Sequence, residues 1–451
     1  MVKRDRAFTA PLTPHGEPAA GVSPRNGAKK SAAAVLAPLL HGVFRDGVPV
    51  RFEFWDKSAL GPSDGPGTVV IRSPYAIRRL LWAPGELGIA RAYVTGEIGL
   101  DGDLFAVLRL LHEAAPTDRR TGGRFVVTAL QSARELGVLG PPLPRPAEEA
   151  SPRGWRHSKG RDARVVSHHY DISNAFYRMT LGPSMTYSCA RFETGAASLE
   201  EAQTAKHDLI CRKLGLHERR GGRLLDVGCG WGSMALHAAT HYGVEVVGIT
   251  VSAEQAKLAR QRVDDAGMSD RIEIRVQDYR DVRREHFDAI SSVGMFEHVG
   301  TGKMAQYFRT LHALLNDSGR FLNHAISSAG GSRIGRNSFI GRYVFPDGEL
   351  IDVGQVVLAM EGAGFEVRDV ESLREHYSRT LHAWVDNLSA HWDSAVAEVG
   401  AQRARVWLLY MAASANGFDD GGISLHQVLG IKPGPGGESH MPATRANWEL
   451  V

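Results

Sequence analysis

The sequence predicts a doubly wound α/β domain that follows a smaller α+β domain. Three observations lead to this fold class. Helical and β patterns alternate from Tyr170 onward, a glycine-rich turn follows the first strand of that series, and the chain of 451 residues is too long for one ordinary core. Alternating strands and helices build a mostly parallel sheet with helices on both faces.

The individual elements follow from short apolar runs separated by amphipathic stretches. In the larger domain, strands are predicted at 223–227, 245–250, 271–276, 287–293 and 319–324. Helices are predicted between them at 234–241, 253–266 and 304–315. The smaller domain is predicted to contain strands at 48–55 and 68–71 and a helix at 75–82.

Composition divides the chain into five segments. Residues 1–31 are predicted to be disordered, 32–140 to form the smaller domain, 141–166 a Pro/Arg-rich linker, 167–430 the catalytic domain and 431–451 a flexible tail. The basic residues of the linker are either solvated or in contact with anionic lipid head groups, where each is worth about 1 kcal/mol. These residues are Arg153, Arg156, Lys159, Arg161 and Arg164.

Bulk composition limits the class of function. A net charge of +3 is too weak to indicate a nucleic-acid partner. The three cysteines are odd in number and lack metal-ligand spacing, which favours a reducing cytosol and predicts no metal site. The N-terminal region lacks the apolar core of a signal peptide, and the run 32–44 is too short to span a bilayer. We therefore expect a cytoplasmic protein.

A glycine-rich turn follows the first strand of the larger domain, in the run Asp226-Val227-Gly228-Cys229-Gly230-Trp231-Gly232. Glycines let a ligand approach the backbone closely, and the N-terminus of the next helix offers free N–H groups. Dinucleotide binders use a similar loop, but with G-x-G-x-x-G spacing and an acid at the tip of the second strand.

Neutral polar residues occupy that tip here, namely Thr250, Ser252 and Gln255. The third strand is followed by Asp278-Tyr279-Arg280, which suits an adenine because a carboxylate can accept from its exocyclic amine beside an aromatic ring. We therefore predict S-adenosylmethionine (SAM) rather than a nicotinamide dinucleotide. Asp226 and the three loop glycines, Gly228, Gly230 and Gly232, complete the predicted binding set.

Four motifs in order along the chain resemble one known family. They occupy residues 185–189, 248–255, 278–281 and 293–300. Together they resemble the cyclopropane-fatty-acyl-phospholipid synthases and the related mycolic acid cyclopropane synthases, over roughly 168–429. The likeness is looser in the preceding lipid-associated domain.

The resemblance implies a class I SAM-dependent methyltransferase fold and a set of functional residues. Tyr187 and Ser188 are expected to contact the cofactor together with the residues already named. A bound bicarbonate is expected to serve as the active-site base, held by Cys189, Glu297, His324, the backbone of Ile326 and Tyr377. The implied reaction is methylene transfer to the cis double bond of an unsaturated phospholipid acyl chain, through a carbocation that closes to a cyclopropane.

The implied partner is a phospholipid bilayer, approached peripherally at its inner face by a homo-oligomer. A close alternative gives a 10-methylene branch, which a partner reductase would saturate. A non-catalytic lipid-binding protein and a methyltransferase for a soluble small molecule are further alternatives. Taken alone, Glu297 could be a solvated acid, His324 a structural histidine and Cys189 a small core residue.

Overall fold

The computed structural model describes residues 30–44, 46–115, 123–150, 160–161, 172–193, 197–331, 334–335 and 337–445. These residues form two compact units. The first comprises the described residues up to Glu149 together with Asn337–Phe339 and Gly400–Asn416, and the second comprises the rest. The sequence-based boundaries differ because they assign 400–416 to the catalytic domain. The predicted disordered segment lies outside the described residues, except for Lys30 and Ser31.

The part of the first unit up to Glu149 contains, in the described residues, a small mixed sheet and five helices. The strands are β1 (Arg51–Phe54), β2 (Ala59–Leu60), β3 (Gly67–Ile71) and β4 (Ile98–Gly102), in the order β2-β1-β3-β4. The helices are α1 (Ala32–Val43), α2 (Tyr75–Trp82), α3 (Glu86–Val94), α4 (Leu104–Glu113) and α5 (Gly123–Glu135). Alternation along β1 buries Phe52 and Phe54 against Val69 and Ile71 of β3, as the predicted strand pattern requires.

The second unit contains the predicted series of strands and helices. Its strands are β5 (Arg223–Val227), β6 (Glu245–Thr250), β7 (Ile272–Val276), β8 (Phe287–Val293), β9 (Leu315–Ser328), β10 (Ile351–Asp352), β11 (Glu366–Ser372) and β12 (Ile423–Ile431). Its helices are α6 (Asn174–Leu181), α7 (Leu199–Lys213), α8 (Ser233–Tyr242), α9 (Ala253–Asp265), α10 (Met304–Leu314), α11 (Val353–Glu361), α12 (Arg374–Ala390) and α13 (Trp392–Val399). Helix α14 (Ala401–Asp419) lies mostly in the first unit. No helix of the described chain is long and apolar enough to cross a membrane.

The sheet of the second unit has the order β11-β12-β9-β8-β5-β6-β7, with β10 beside β9. Strands β5 to β9 run parallel, whereas β12 is antiparallel to β9 and β11 is antiparallel to β12. Neighbouring residues point to opposite faces, so Leu224 and Val246 pack under α7, α8 and α9 while Leu225 and Val247 pack with α10 and α11. The predicted doubly wound fold is confirmed.

The C-terminal residues depart from the predicted flexible tail. Lys432 Nζ donates to the carbonyl of Leu315 at 2.8 Å, and Arg445 pairs with Asp369 at 2.5 Å. Residues 446–451 lie outside the described chain. In the predicted linker, Arg161 pairs with Asp347 at 2.6 Å, so this one basic residue is not simply solvated. The other four basic residues of that run also lie outside the described residues.

Candidate active site

The glycine-rich turn between β5 and α8 is held against the end of β6. The backbone N–H groups of Gly228 and Cys229 donate to the carbonyl of Ile249 at 2.9 and 3.0 Å. Gly228 has φ +80°, and a Cβ at that position would lie 3.1 Å from Cβ of Met295. A Cβ on Gly248 would likewise lie 3.1 Å from Cβ of Cys229. The turn therefore needs glycine both for its left-handed backbone and for close packing.

A cavity opens above this turn at the carboxyl ends of β5, β6, β7 and β8. Ligands of doubly wound sheets bind at this edge because the loops that follow the strands converge there. The cavity brings together ten of the predicted cofactor residues: Tyr187, Ser188, Asp226, Gly228, Gly230, Thr250, Gln255, Asp278, Tyr279 and Arg280. Gly232 and Ser252 are not among its lining residues. Gly232 is the cap residue at the start of α8, and Ser252 caps α9 by accepting from the N–H of Gln255 at 3.1 Å.

The polar groups at the ends of β6 and β7 are held in place by their neighbours. Thr250 Oγ1 donates to Gln255 Oε1 at 2.8 Å. Asp278 accepts from Nε and Nη2 of Arg280 at 2.8 and 2.7 Å, and the same guanidinium lies 5.4 Å from the centre of the Tyr279 ring. A fixed carboxylate beside an aromatic ring is the arrangement predicted for an adenosine group.

Asp226 has an unpartnered oxygen at the edge of the cavity. Ser291 Oγ donates to its Oδ1 at 2.8 Å, whereas Oδ2 is buried and has no hydrogen-bond partner among the described residues. Burial raises the pKa of Asp226 to about 6. A buried acceptor without a donor is costly, and so this oxygen fits a ligand that brings a donor of its own.

A second group of predicted residues meets where β8 and β9 end. Glu297 lies in a short 3₁₀ turn after β8, and its Oε1 accepts from the backbone N–H of Ile326 at 2.8 Å. Its Oε2 is buried, with no partner in the part of the chain that the structure describes. Burial raises the pKa of Glu297 to about 7. The carboxyl group can therefore exchange a proton near neutral pH.

His324 lies two residues before Ile326 on the same face of β9. The amide nitrogen of Gln427 lies 3.2 Å from its Nδ1. An amide nitrogen can only donate, so Nδ1 accepts and the neutral ring carries its proton on Nε2. Burial holds the pKa of His324 far below its ordinary value, and Nε2 has no partner among the described residues. The ring therefore offers an unused N–H donor.

Cys189 and Tyr377 join this group through the carbonyl of Leu373. Cys189 Sγ lies 3.1 Å from the carbonyl of Ala190 and 3.7 Å from that of Leu373, and the Leu373 carbonyl accepts from the backbone N–H of Tyr377 at 3.1 Å. The N–H of Leu373 in turn donates to Leu425, which is paired with Ile326 in the sheet. Burial raises the pKa of the Cys189 thiol well above its ordinary value, so it remains a neutral thiol. Glu297, His324 and the backbone of Ile326 thus meet at the ends of β8 and β9, and Cys189 and Tyr377 are connected to them through the backbone of Leu373 and Leu425.

Comparison with known proteins identifies the family. A family model described as mycolic acid cyclopropane synthetase matches residues 157–428. The chain belongs to this family. It is 44% identical over 413 residues to the probable fatty acid methyltransferase Rv3720 of Mycobacterium tuberculosis, covering 87% of this chain and 93% of that protein. It is 34% identical over 373 residues to the cyclopropane-fatty-acyl-phospholipid synthase of Escherichia coli K12, covering 81% and 87%.

A solved relative supports the fold and the cofactor. The structure of mycolic acid cyclopropane synthase CmaA1 complexed with SAH and CTAB has a TM-score of 0.57 and 34% identity, covering 60% of this chain and 98% of that one. The protein is therefore a SAM-dependent C-methyltransferase of the cyclopropane synthase type. The resemblance inferred from the four sequence motifs is confirmed.

In this member of the cyclopropane synthetase family, α7 supplies two site residues that sequence reasoning missed. Gln203 Nε2 donates to the carbonyl of Ser188 at 2.9 Å, and Lys206 Nζ donates to Ser188 Oγ at 3.0 Å. Lys206 also lines the cofactor cavity, and burial lowers its pKa to about 7. The available signal was its spacing, because Lys206 falls at helical intervals from the buried Ala202 and Leu209 and thus on the apolar face of the helix.

Proposed function

We propose that this protein transfers the methyl carbon of SAM to the cis double bond of an unsaturated phospholipid acyl chain and closes a cyclopropane ring. One observation carries the proposal. Glu297 Oε2 and His324 Nε2 are an acceptor and a donor without partners among the described residues, and they lie in one buried cluster beside a SAM cavity. Methyl transfer to an alkene carbon has to be followed by loss of a proton, and a buried acceptor and donor beside the cavity suit that step.

The cofactor, when bound, supplies an electrophilic methyl group. The protein has to hold a weakly nucleophilic alkene against it in a space without water, which is catalysis by proximity and orientation. The new C–C bond forms as the sulfur–methyl bond breaks, leaving a cation on the acyl chain. Loss of one proton from the transferred methyl then closes the ring.

A series of aromatic rings connects the cofactor cavity to the Glu297 cluster. Tyr187, which lines the cavity, lies 5.3 Å from Trp384 between ring centres, and Trp384 lies 6.1 Å from Tyr377. Aromatic faces stabilise a nearby cation by roughly 0.5–2 kcal/mol each. These rings support the proposed carbocation because the first of them lines the cofactor cavity and each offers a π face to a cation.

The Glu297 cluster fits the bicarbonate expected from the resemblance. The neutral His324 ring would donate from Nε2, the backbone near Ile326 and the Tyr377 side chain would flank the ion, and Glu297 Oε2 would accept its proton. Bicarbonate would supply a base that accepts the proton lost from the acyl chain without alkylating the protein. A Glu297 with a pKa of about 7 suits this role because it can share that proton.

A second product is favoured by one comparison. The 44% identity to a probable fatty acid methyltransferase exceeds the 34% identity to the Escherichia coli cyclopropane synthase. In that alternative, a hydride shift precedes proton loss and gives a 10-methylene branch, which a partner reductase would saturate. Both reactions use the same cofactor and the same proton acceptor, so the Glu297 cluster serves either.

Exposed apolar side chains are concentrated in the first unit, which supports contact with a lipid bilayer. Seven of the ten exposed large apolar side chains of the described residues lie in this unit: Tyr75, Trp82, Ile89, Val126, Val127, Leu130 and Leu139. On α2, Tyr75, Arg78 and Trp82 share one face at helical spacing. Aromatic and arginine side chains together suit the interface between acyl chains and anionic head groups.

Lipid product analysis tests the proposed function. Wild-type protein and Glu297→Gln are incubated with SAM and vesicles of an unsaturated phospholipid, and the acyl chains are examined by mass spectrometry and NMR. A ring CH₂ with a mass gain of one methylene supports the cyclopropane. An exocyclic methylene supports the second product. Release of SAH in the absence of vesicles, or none in their presence, contradicts both.

A further inference from the structure

Helix α7 buries two lysines on its apolar face, and their surroundings differ. Lys213 pairs with Asp369 at 2.9 Å and also with Glu371, so two carboxylates compensate its charge. Lys206 is 1% exposed, and its Nζ donates to the neutral hydroxyl of Ser188. It forms no ion pair within the described residues. Burial disfavours the charged form and lowers the pKa of Lys206 to about 7, so an anionic ligand, which the described chain does not provide at ion-pair distance, would stabilise the ammonium.

The place of Lys206 indicates where that anion binds. Its side chain lines the cofactor cavity together with Tyr187, Ser188 and the glycine turn. Of the cationic side chains lining that cavity, Arg280 is engaged by Asp278, which leaves Lys206 for a ligand. Glu297 and His324 do not line the cavity. Lys206 also acts electrostatically on Cys189 and His324, but it is the cofactor cavity that its side chain lines, which favours a group of the cofactor as its ligand.

Asp226 supplies the complementary group in the same cavity. Its unpartnered Oδ2 is an acceptor, and Lys206 is a donor of opposite charge. The two groups attract each other electrostatically but lie beyond ion-pair distance. A ligand that carries both an ammonium and a carboxylate can satisfy both groups at once.

We propose that Lys206 recognises the carboxylate of the cofactor's aminoacyl tail. Ser188 holds the Lys206 side chain in place, and Gln203 holds the Tyr187–Ser188 segment in place. The Ser188 hydroxyl fixes the ammonium by accepting one of its three hydrogens, and Gln203 fixes the backbone of Ser188. This inference deepens the proposed function only in its use of the SAM cofactor. It does not depend on which lipid product forms.

Two ligands that differ only at the tail provide the test. SAH has the aminoacyl carboxylate, and 5′-methylthioadenosine lacks the aminoacyl group. Calorimetric titration of the full chain is expected to show that Lys206→Met raises the Kd of SAH by about 10- to 100-fold, as for loss of a charged hydrogen bond. The Kd of 5′-methylthioadenosine should change less than about 2-fold, because its adenosine end contacts other residues.

Matched variants separate this role from a structural one. Lys213→Met removes a buried lysine from the same helix and should lower Tm while leaving the ratio of the two Kd values unchanged. Asp278→Asn should raise the Kd values of both ligands by similar factors. Lys206→Met should keep or raise the Tm of the free protein because it removes an uncompensated charge. If it does not fold, Lys206→Gln, which keeps a donor for Ser188, is titrated instead.

Equal losses for both ligands, or an unchanged Kd for SAH, would overturn the inference. So would a normal Kd for SAH together with a higher bicarbonate requirement for turnover, since Lys206 would then serve the other anion. Lipid product analysis is independent of these titrations. Failure of the proposed function and failure of this inference therefore give different results.

Discussion

The amide nitrogen of Gln427 lies 3.2 Å from Nδ1 of His324, on two neighbouring antiparallel strands in direct register. This contact sets the tautomer of a buried imidazole, because Nδ1 must accept and Nε2 must then carry the hydrogen. Nothing in the sequence indicates that these two residues are in contact, since 103 positions separate them. The sheet places the second strand, β12, beside β9 and so provides the contact.

Replacing Gln427 with leucine should lower turnover without weakening cofactor binding. The leucine cannot donate to Nδ1, so the ring is free to move its proton to Nδ1 and lose the Nε2–H donor. We expect kcat to fall about 10- to 100-fold, as for loss of a group that orients a catalytic residue. The bicarbonate concentration for half-maximal rate should rise, and the Kd of SAH should remain the same. Gln427→Asn keeps the amide on a shorter side chain, so its kcat should lie between those of the wild type and Gln427→Leu. A wild-type bicarbonate response in Gln427→Leu would contradict this role of Gln427.

Glu297→Gln should abolish turnover and yet stabilise the protein above neutral pH. The folded-state pKa of about 7 lies above the ordinary value of 4.5, so the folded state holds the proton more tightly. The free energy of unfolding therefore decreases as pH rises from 4.5 to 7 and stays at the lower level above that. The glutamine carries no charge, so at pH 8 the variant should be more stable by about 3 kcal/mol, with little difference near pH 5.

Denaturant unfolding at pH 5 and pH 8 in bicarbonate-free buffer measures that effect. SAH titration provides the matched control for the site. Because Glu297 does not line the cofactor cavity, Glu297→Gln should change the Kd of SAH less than about 3-fold. A pH-independent difference in stability would show that Glu297 is already charged and compensated in the folded protein. Normal turnover would exclude it from proton transfer.

Gly228→Val should eliminate SAH binding. The valine would take a φ of +80°, and its Cβ would press on Met295 at 3.1 Å, so the turn must shift away from the cavity. Gly267→Val is a suitable control, because Gly267 has φ +65° and nothing lies within 4 Å of its Cβ position. Both variants should lose about 1–2 kcal/mol of stability from backbone strain. Only Gly228→Val should raise the Kd of SAH, by at least about 100-fold; retained binding would mean that the turn does not form the cofactor site.

Removing apolar side chains from the surface of the first unit should weaken binding to vesicles. Trp82 is 57% exposed and Val127 is 53% exposed, and serine at both positions removes area that could enter a bilayer. We expect about 10-fold weaker binding to vesicles of phosphatidylglycerol and phosphatidylethanolamine, with turnover on detergent-dispersed lipid unchanged. Leu358→Ser, at a side chain that is 70% exposed in the second unit, is the control and should bind normally. Equal losses in both would show that the surface of the first unit has no special role.

The first five strands of the catalytic sheet were predictable because their apolar runs match the buried positions that they occupy in the fold. Short apolar runs at 223–227 and 287–293 are buried on both faces, and such runs leave little ambiguity. Strand β9 extends beyond the predicted 319–324 to Leu315–Ser328, because Leu315 pairs with β8 and residues up to Ser328 pair with β10 and β12. The same pairing forms β12 at Ile423–Ile431, a strand that the sequence did not predict.

By itself, the sequence determined the doubly wound core and the glycine turn, because these depend on local periodicity and on a motif of adjacent residues, whereas the expected residues of the Glu297 cluster came from the resemblance to a known family. Tertiary structure alone decided that Lys206 lines the cofactor cavity with no ion-pair partner among the described residues, that Gln427 contacts His324, and that residues 400–416 pack with the first unit. Burial and long-range pairing create these relationships. The free-energy cost of removing a charge or a hydrogen-bonding group from water depends on its neighbours in the fold, and here those neighbours are distant in the chain.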